Sequence, residues 1–274
     1  MGRARTSMPG FGLSMGMTLL WLSLIVLIPL SAVFVRSAAG GWVAFWEAAG
    51  SDRALAAYKV SFGAAAIAAA VNSVFGLLVA WVLVRYDFPL KRLFNAIVDL
   101  PFALPTAVAG IALTAIYADT GWIGRPLAPA GVEIAYHFPG IVIALVFIGL
   151  PFIVRTVEPV LQQMGKEPEE AAATLGANRL QTFTRVILPT IAPSLATGFS
   201  LAFARGVGEY GSVIFIAGNM PFKTEIAPLL IITELEQYDY AGATAIATVM
   251  LIVSFAMLLL LNMIQGWQRR RVTL

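Results

Sequence analysis

The chain has 274 residues, of which 59% are apolar and only 12% charged, and its mean hydropathy is +0.84. That mix excludes an ordinary soluble domain and identifies an integral membrane protein. The net charge of +3 does not point to nucleic acid, because it follows from where the cations fall around the apolar stretches, and the absence of cysteine excludes disulfides and thiolate metal sites.

Five stretches carry no charged residue: 13–35, 60–84, 100–118, 138–154 and 241–264. Each approaches the roughly 20 residues that an α-helix needs to cross the hydrocarbon core. A sixth, 193–217, contains only Arg205 and Glu209. The reading is an all-α polytopic membrane protein with about six transmembrane helices in one domain, 1–274. Its first stretch follows Arg3 and Arg5 and precedes Ser37-Ala38-Ala39, as a signal peptide does. At 23 residues it exceeds the ~7–15 of a signal core, so an uncleaved anchor is expected.

With the N-terminus in the cytoplasm, the inside segments hold Arg3, Arg5, Arg85, Lys91, Arg92, Arg155, Lys166, Arg179, Arg185, Arg269, Arg270 and Arg271, twelve cations. The outside segments hold five: Arg36, Arg53, Lys59, Arg125 and Lys223. This excess places both termini in the cytoplasm, together with a polar hairpin at about 158–190.

Trp42, Phe45 and Trp46 recur at helical spacing after the first span and predict a short helix anchored at the outer interface. The 60–84 stretch is rich in alanine and glycine, which lets neighbouring helices approach closely, so it is expected inside the bundle. Its Asn72 calls for an interhelical hydrogen bond. Pro101 and Pro105 predict a kinked or broken third span, with Asp99 just before them, and this segment is a candidate wall of a pathway as well as a plain structural kink. The fourth span carries Pro151 near its inner end. His137, the only histidine, lies before it without the ligand partners a metal or catalytic site needs, and no metal or catalytic residue is assigned.

The hairpin reads EEAAATLGANRLQTFTRVILP. Pro168 suits a first helical turn, and Glu169 and Glu170 complement the positive end of the helix dipole there. Ala171, Ala172, Ala173 and Leu175 favour helix, and Gly176 can close it in the left-handed conformation. Leu180, Phe183 and Ile187 form a second apolar stripe, which Pro189 is expected to end. The product is a helix-turn-helix knuckle whose Ala-rich surface, with two carboxylates, suits the groove of a partner.

Arg205 and Glu209 stand four residues apart, on one face of the fifth span, either as an ion pair that fixes packing or as a pathway lining or gate. The intervening run, Gly206-Val207-Gly208-Glu209-Tyr210-Gly211, matches a dinucleotide fingerprint in letters only: no strand precedes it and it lies in a membrane segment, so its glycines serve packing or bending. The 218–240 loop, with Lys223, Glu225, Glu234, Glu236 and Asp239, is an expected outer docking surface for a soluble partner.

The hairpin resembles the coupling motif of bacterial ABC importer permeases: Glu170-Ala171-Ala172, three residues, Gly176, nine residues, then Val186 in the isoleucine slot, with Leu188 and Pro189. DLPFALPTAVAGIAL (99–113), FARGVGEYGSVIFIAGN (203–219), TEIAPLLI and QYDYAGATAIA are similar to the T-type permeases of sulfate/thiosulfate ABC importers, over nearly the whole chain. Molybdate permeases share much of the fifth-span pattern. The resemblance implies a type I importer permease fold in the bacterial inner membrane. It also implies a homologous W-type permease subunit, a dimer of cytoplasmic ABC ATPases and a periplasmic sulfate/thiosulfate-binding protein. No GxxxxGK[ST] loop occurs, so ATP and Mg belong to the ATPase partner, and this chain is expected to bind no cofactor and perform no hydrolysis. An ion-coupled secondary transporter would share the buried charges but have no use for the knuckle. A membrane enzyme would need an acid, base or metal constellation that the sequence lacks.

Overall fold

The computed structural model describes residues 11–272, with side chains to residue 263; Arg3 and Arg5 of the charge count, and the side chains of 269–271, lie outside it. The longer helices are α1 (Phe11–Ala39), α2 (Gly41–Ala49), α3 (Asp52–Arg85), α4 (Lys91–Ala103), α5 (Thr106–Tyr117), α6 (Phe138–Met164), α7 (Glu167–Thr174), α8 (Arg179–Val207), α9 (Ala227–Glu236) and α10 (Tyr240–Val272). Among the described residues five are long and apolar enough to cross a membrane, and six if the bent pair α4–α5 is one span. The chain divides into two units, one built from the described part of 1–51 with 231–249, the other from 52–230 with the rest of α10.

In the first unit, α1 passes Pro29 without breaking. A proline cannot supply the usual i→i−4 bond, and here the preceding turn, Ser23–Leu27, widens to a π-turn in which the Ile28 amide donates to the Ser23 carbonyl. Trp42, Phe45 and Trp46 lie on the short helix their spacing predicts, α2, and their ring centroids stand 5.2–6.2 Å apart.

In the second unit, α3, α6 and α8 pack against one another. Small residues make this possible. Ala54, Ala57, Ala64, Ala65, Ala68, Ala69 and Ala80 of α3 are buried, and a Cβ at Gly76 would come within 2.8 Å of Ile153. Gly198 of α8 is as tight: its Cβ would meet Thr156 Oγ1 at 2.4 Å and the Ile153 backbone at 3.0 Å. Such close approach replaces hydrophobic driving force with dispersion contact, which is what associates helices in lipid. Ile153, Val154, Val157, Leu161, Ile187 and Ile191 close the core at one end, with Ala80, Leu83 and Val98.

The third predicted span is broken, as expected, but only at one of its two prolines. Pro101 lies inside α4, whereas Leu104, just before Pro105, is pushed into extended backbone (ψ 131°) and α5 leaves at 113° to α4. Four other expectations are corrected. The fifth span runs 179–207 rather than 193–217, because Pro189 does not end a helix: Phe183–Ile187 forms a second π-turn, the Leu188 amide reaching back to the Phe183 carbonyl, and the chain continues unbroken. Arg155, counted as a loop cation, lies within α6, which extends to Met164. Asn72 is fully buried, yet neither of its amide atoms has a hydrogen-bond partner, and its amide lies against Gly149 of α6, which has no side chain to offer. Glu225, counted among the acids of the expected outer docking surface, is instead 3% exposed and holds Arg53.

Candidate functional site

The knuckle is built from 165 to 189. Gly165 ends α6 with φ 66°, ψ −164°, a conformation open to glycine, and only Lys166 separates it from α7. Glu167, Glu169 and Glu170 occupy the first turn of α7 with Pro168, as the charge and proline rules anticipate. Its other end is a Schellman motif: the Ala177 amide donates to the Ala172 carbonyl and the Gly176 amide to Ala173, with Gly176 at φ 80°. Asn178 then starts α8 with a capping box, its side chain accepting from the Gln181 amide at 2.8 Å while Gln181 accepts from the Asn178 amide at 2.9 Å. The N-x-x-Q spacing signals that box, although the motif match passes over it.

The turn is therefore capped on both sides by its own groups, and the side chains are free to face outward. Glu170, Ala171, Ala173 and Gly176 are exposed; Ala172 alone of α7 is buried. Leu175 and Leu180 stand 88% and 71% exposed on either side of the turn, large apolar groups that the described residues leave mostly bare. The knob thus presents a small-residue face, acidic at one end and apolar at its tip, and exposed apolar groups of this kind characterise protein interaction sites in general. Val186 and Leu188 are half-buried and Pro189 exposed, while Ile187, unmarked by the motif, is the residue that enters the core.

What orients the knob is a residue that sequence reasoning used only in a charge count. Arg85, the last residue of α3, has a side chain 8% exposed. Its Nη2 donates to the Gly165 carbonyl at 2.6 Å and lies 2.6 Å from Glu169 Oε1; Nη1 reaches the Leu161 carbonyl at 3.4 Å; and the guanidinium stacks 5.4 Å from the Trp81 ring. Trp81 in turn meets Phe183 edge-on at 6.4 Å.

The candidate pathway residues fall into two separate groups. Asp99 of α4 receives Arg155 of α6 through both its oxygens, at 2.8 and 2.6 Å, and Arg155 also donates to Glu158 at 2.5 Å and to the Asn95 carbonyl at 3.0 Å. Arg205 pairs with Glu209 at 2.5 Å, but Glu209 lies beyond the end of α8, not on its face, since the helix closes at Val207. Buried at 3%, Glu209 also accepts from the Ser212 amide and hydroxyl. A Cβ at Gly211 would strike Thr106 Oγ1 at 2.2 Å, and one at Gly110 of α5 the Ser212 carbonyl at 2.3 Å, so Gly211 packs this run against α5, whereas a Cβ at Gly206 would lie 3.3 Å from Ala65 of α3 and Gly208 faces open space. Among the described residues no ion pair joins Asp99 to Arg205 or Glu209.

Among the described residues no three acidic or histidine side chains converge as a metal site. His137 has one acidic neighbour, Glu133, 3.1 Å from its Nε2.

Residues 72–274 match the model of the binding-protein-dependent transport system inner membrane component family. The chain is 53% identical to the sulfate transport system permease protein CysT of Synechococcus elongatus over 92% of this chain and 91% of that one. It is 47% identical to the protein of that name from Escherichia coli, over 98% and 97%. Its fold is shared with a chain of a bacterial ABC transporter that imports alginate, at a TM-score of 0.76, 18% identity and 97% coverage of both chains. A methionine ABC transporter, MetNI, in inward-facing form, aligns at 0.56, with 20% identity, over 79% and 94%.

Proposed function

The chain belongs to the binding-protein-dependent transport system inner membrane component family, and we propose that it is the permease subunit of an ABC importer that moves sulfate, or thiosulfate, across the bacterial inner membrane. The observation that carries the reading is the knob at 167–189: capped at both turns, exposed at Glu170, Ala171, Gly176 and Leu175, and held to the spanning helices from beneath. It stands in a chain whose relatives at 47–53% identity are named sulfate permeases.

In this reading both termini and the knob are cytoplasmic and 1–274 acts as one permease domain. Glu170, Ala171, Ala172, Gly176, Val186, Leu188 and Pro189 form the surface on which a separate ATPase dimer acts, with ATP and Mg bound there. A W-type permease completes the pathway, and a periplasmic binding protein delivers the anion. When the ATPases close, the knob moves with them and tilts α6 and α8, between which it is strung; hydrolysis resets it. Each state must be favoured by several kcal/mol of differential contact for the populations to turn over. Asp99 with Arg155, and Arg205 with Glu209, are the charged groups that such tilting would rearrange.

Competition against labelled sulfate tests the substrate. Thiosulfate should compete in cells that depend on this permease; displacement by molybdate at lower concentration than by thiosulfate would assign the chain to molybdate instead.

A further inference from the structure

We infer that Arg85 is the joint that makes the knob move as one piece with the spanning helices, a positioning residue without which ATP turnover runs on but no longer drives transport. The inference rests on the coupling role proposed above.

The connection between α6 and α7 is weak on its own. Two residues span it, Gly165 and Lys166, and Gly165 stands at positive φ, where only glycine rotates freely. Of α7 itself only Ala172 is buried, so apolar packing alone gives the helix little to hold its angle. A push on its exposed face would then swing it about Gly165 and leave α6 where it was.

Arg85 removes that freedom. One guanidinium group takes the last carbonyls of α6, at Leu161 and Gly165, and the first-turn carboxylate of α7, at Glu169, while its stem continues α3. Three helices are thereby pinned at a single planar group whose fork fixes angle as well as distance. Trp81, stacked on the same group, carries the contact to Phe183 in the π-turn that opens α8. The hinge at Gly165 is bridged from outside the backbone, and displacement of α7 reaches α3, α6 and α8 together.

The position of Arg85 excludes a bland alternative. A cation serving only as an inner-interface anchor would point to water, yet this side chain is 8% exposed, and Glu169, one residue before the Glu-Ala-Ala segment, is 25% exposed and spent on it. Lysine, a point charge, could keep the Glu169 pair but not the fork to two carbonyls.

The test uses the complete importer in proteoliposomes, with both permeases, the ATPase dimer and the binding protein, and reads sulfate accumulated per ATP hydrolysed. For Arg85→Gln that ratio should fall at least tenfold, with the ATPase still co-purifying in ordinary yield. Arg85→Lys should recover part of it, and Glu169→Gln, on an accessible helix, should give an intermediate loss. The inference is overturned if uptake and hydrolysis decline in step at constant ratio, if the ratio is unchanged, or if the variants lose the ATPase altogether, which would make Arg85 a docking determinant. A wild-type complex that hydrolyses ATP without accumulating sulfate would instead sink the importer reading.

Discussion

Arg53 and Glu225, 172 residues apart in sequence, meet through two hydrogen bonds of 2.6 and 2.8 Å at the opposite end of α3 from Arg85. At 1.5 Å per residue the 34-residue helix is about 50 Å long, so both of its arginines reach past a ~30 Å hydrocarbon core. Each finds a glutamate there. Because Glu225 is 3% exposed, Arg53→Ala leaves a buried carboxylate uncompensated and should destabilise the protein by about 2 kcal/mol, seen as a lower Tm in detergent. The double variant Arg53→Ala with Glu225→Gln should recover part of the loss, and strict additivity would show that the pair is not coupled.

At Gly176 the cost of a side chain is purely conformational. A Cβ there meets nothing within 4 Å, but φ is 80°. Gly176→Val should therefore cost about 1–2 kcal/mol locally, unwind the end of α7 and weaken ATPase capture and uptake while membrane insertion is unchanged. Gly176→Asn should be milder, since asparagine tolerates this region. Capture and uptake both at wild-type level in Gly176→Val would remove the knob from the coupling path.

Arg205→Ala exposes the same logic within the membrane. Glu209 keeps its Ser212 donors but loses its countercharge in a buried setting, so uptake or complex yield should fall several-fold. Normal values for both would take Arg205 off the pathway.

Asn72→Leu is expected to be neutral or stabilising. The amide is buried without a partner, and replacing an orphaned polar group by an apolar one of similar size removes a desolvation cost of about 1–3 kcal/mol. A Tm drop of several degrees would mean that Asn72 has a partner after all.

Asp87 provides the contrast. Its carboxyl is held below the usual range by a hydrogen bond from Lys91 at 3.0 Å, and the side chain is wholly exposed. A lowered folded pKa gives stability that is present above the unfolded pKa and lost as pH falls through the folded one. For so exposed a group the effect is screened. Asp87→Asn should match wild type in Tm at pH 7, and the same comparison at pH 5 should differ no more.

Much of this architecture is written in local sequence. Charge-free runs mark the spans, alanines mark the helix that is enclosed, and Pro105 marks the break, because each acts on its own few residues. The capped knuckle is legible for the same reason: Pro168, Gly176 and the acidic first turn need nothing from afar. Pro189 misled because a π-turn upstream absorbs it, and nothing in a proline announces what the preceding turn will do. Arg85, Arg155 and Glu225 were opaque because their partners lie 56 to 172 residues away, and a cation beside a membrane span reads as an interface anchor until the fold brings a carboxylate to it.

The central claim is that force made elsewhere enters through the knob at 167–189. Labelled sulfate accumulation in proteoliposomes, with the subunit alone and with the full set of partners plus ATP, measures it. The subunit alone should accumulate nothing, and the complete assembly should concentrate sulfate only while ATP is hydrolysed. Concentrative uptake by the lone chain, driven by an ion gradient, would contradict the account.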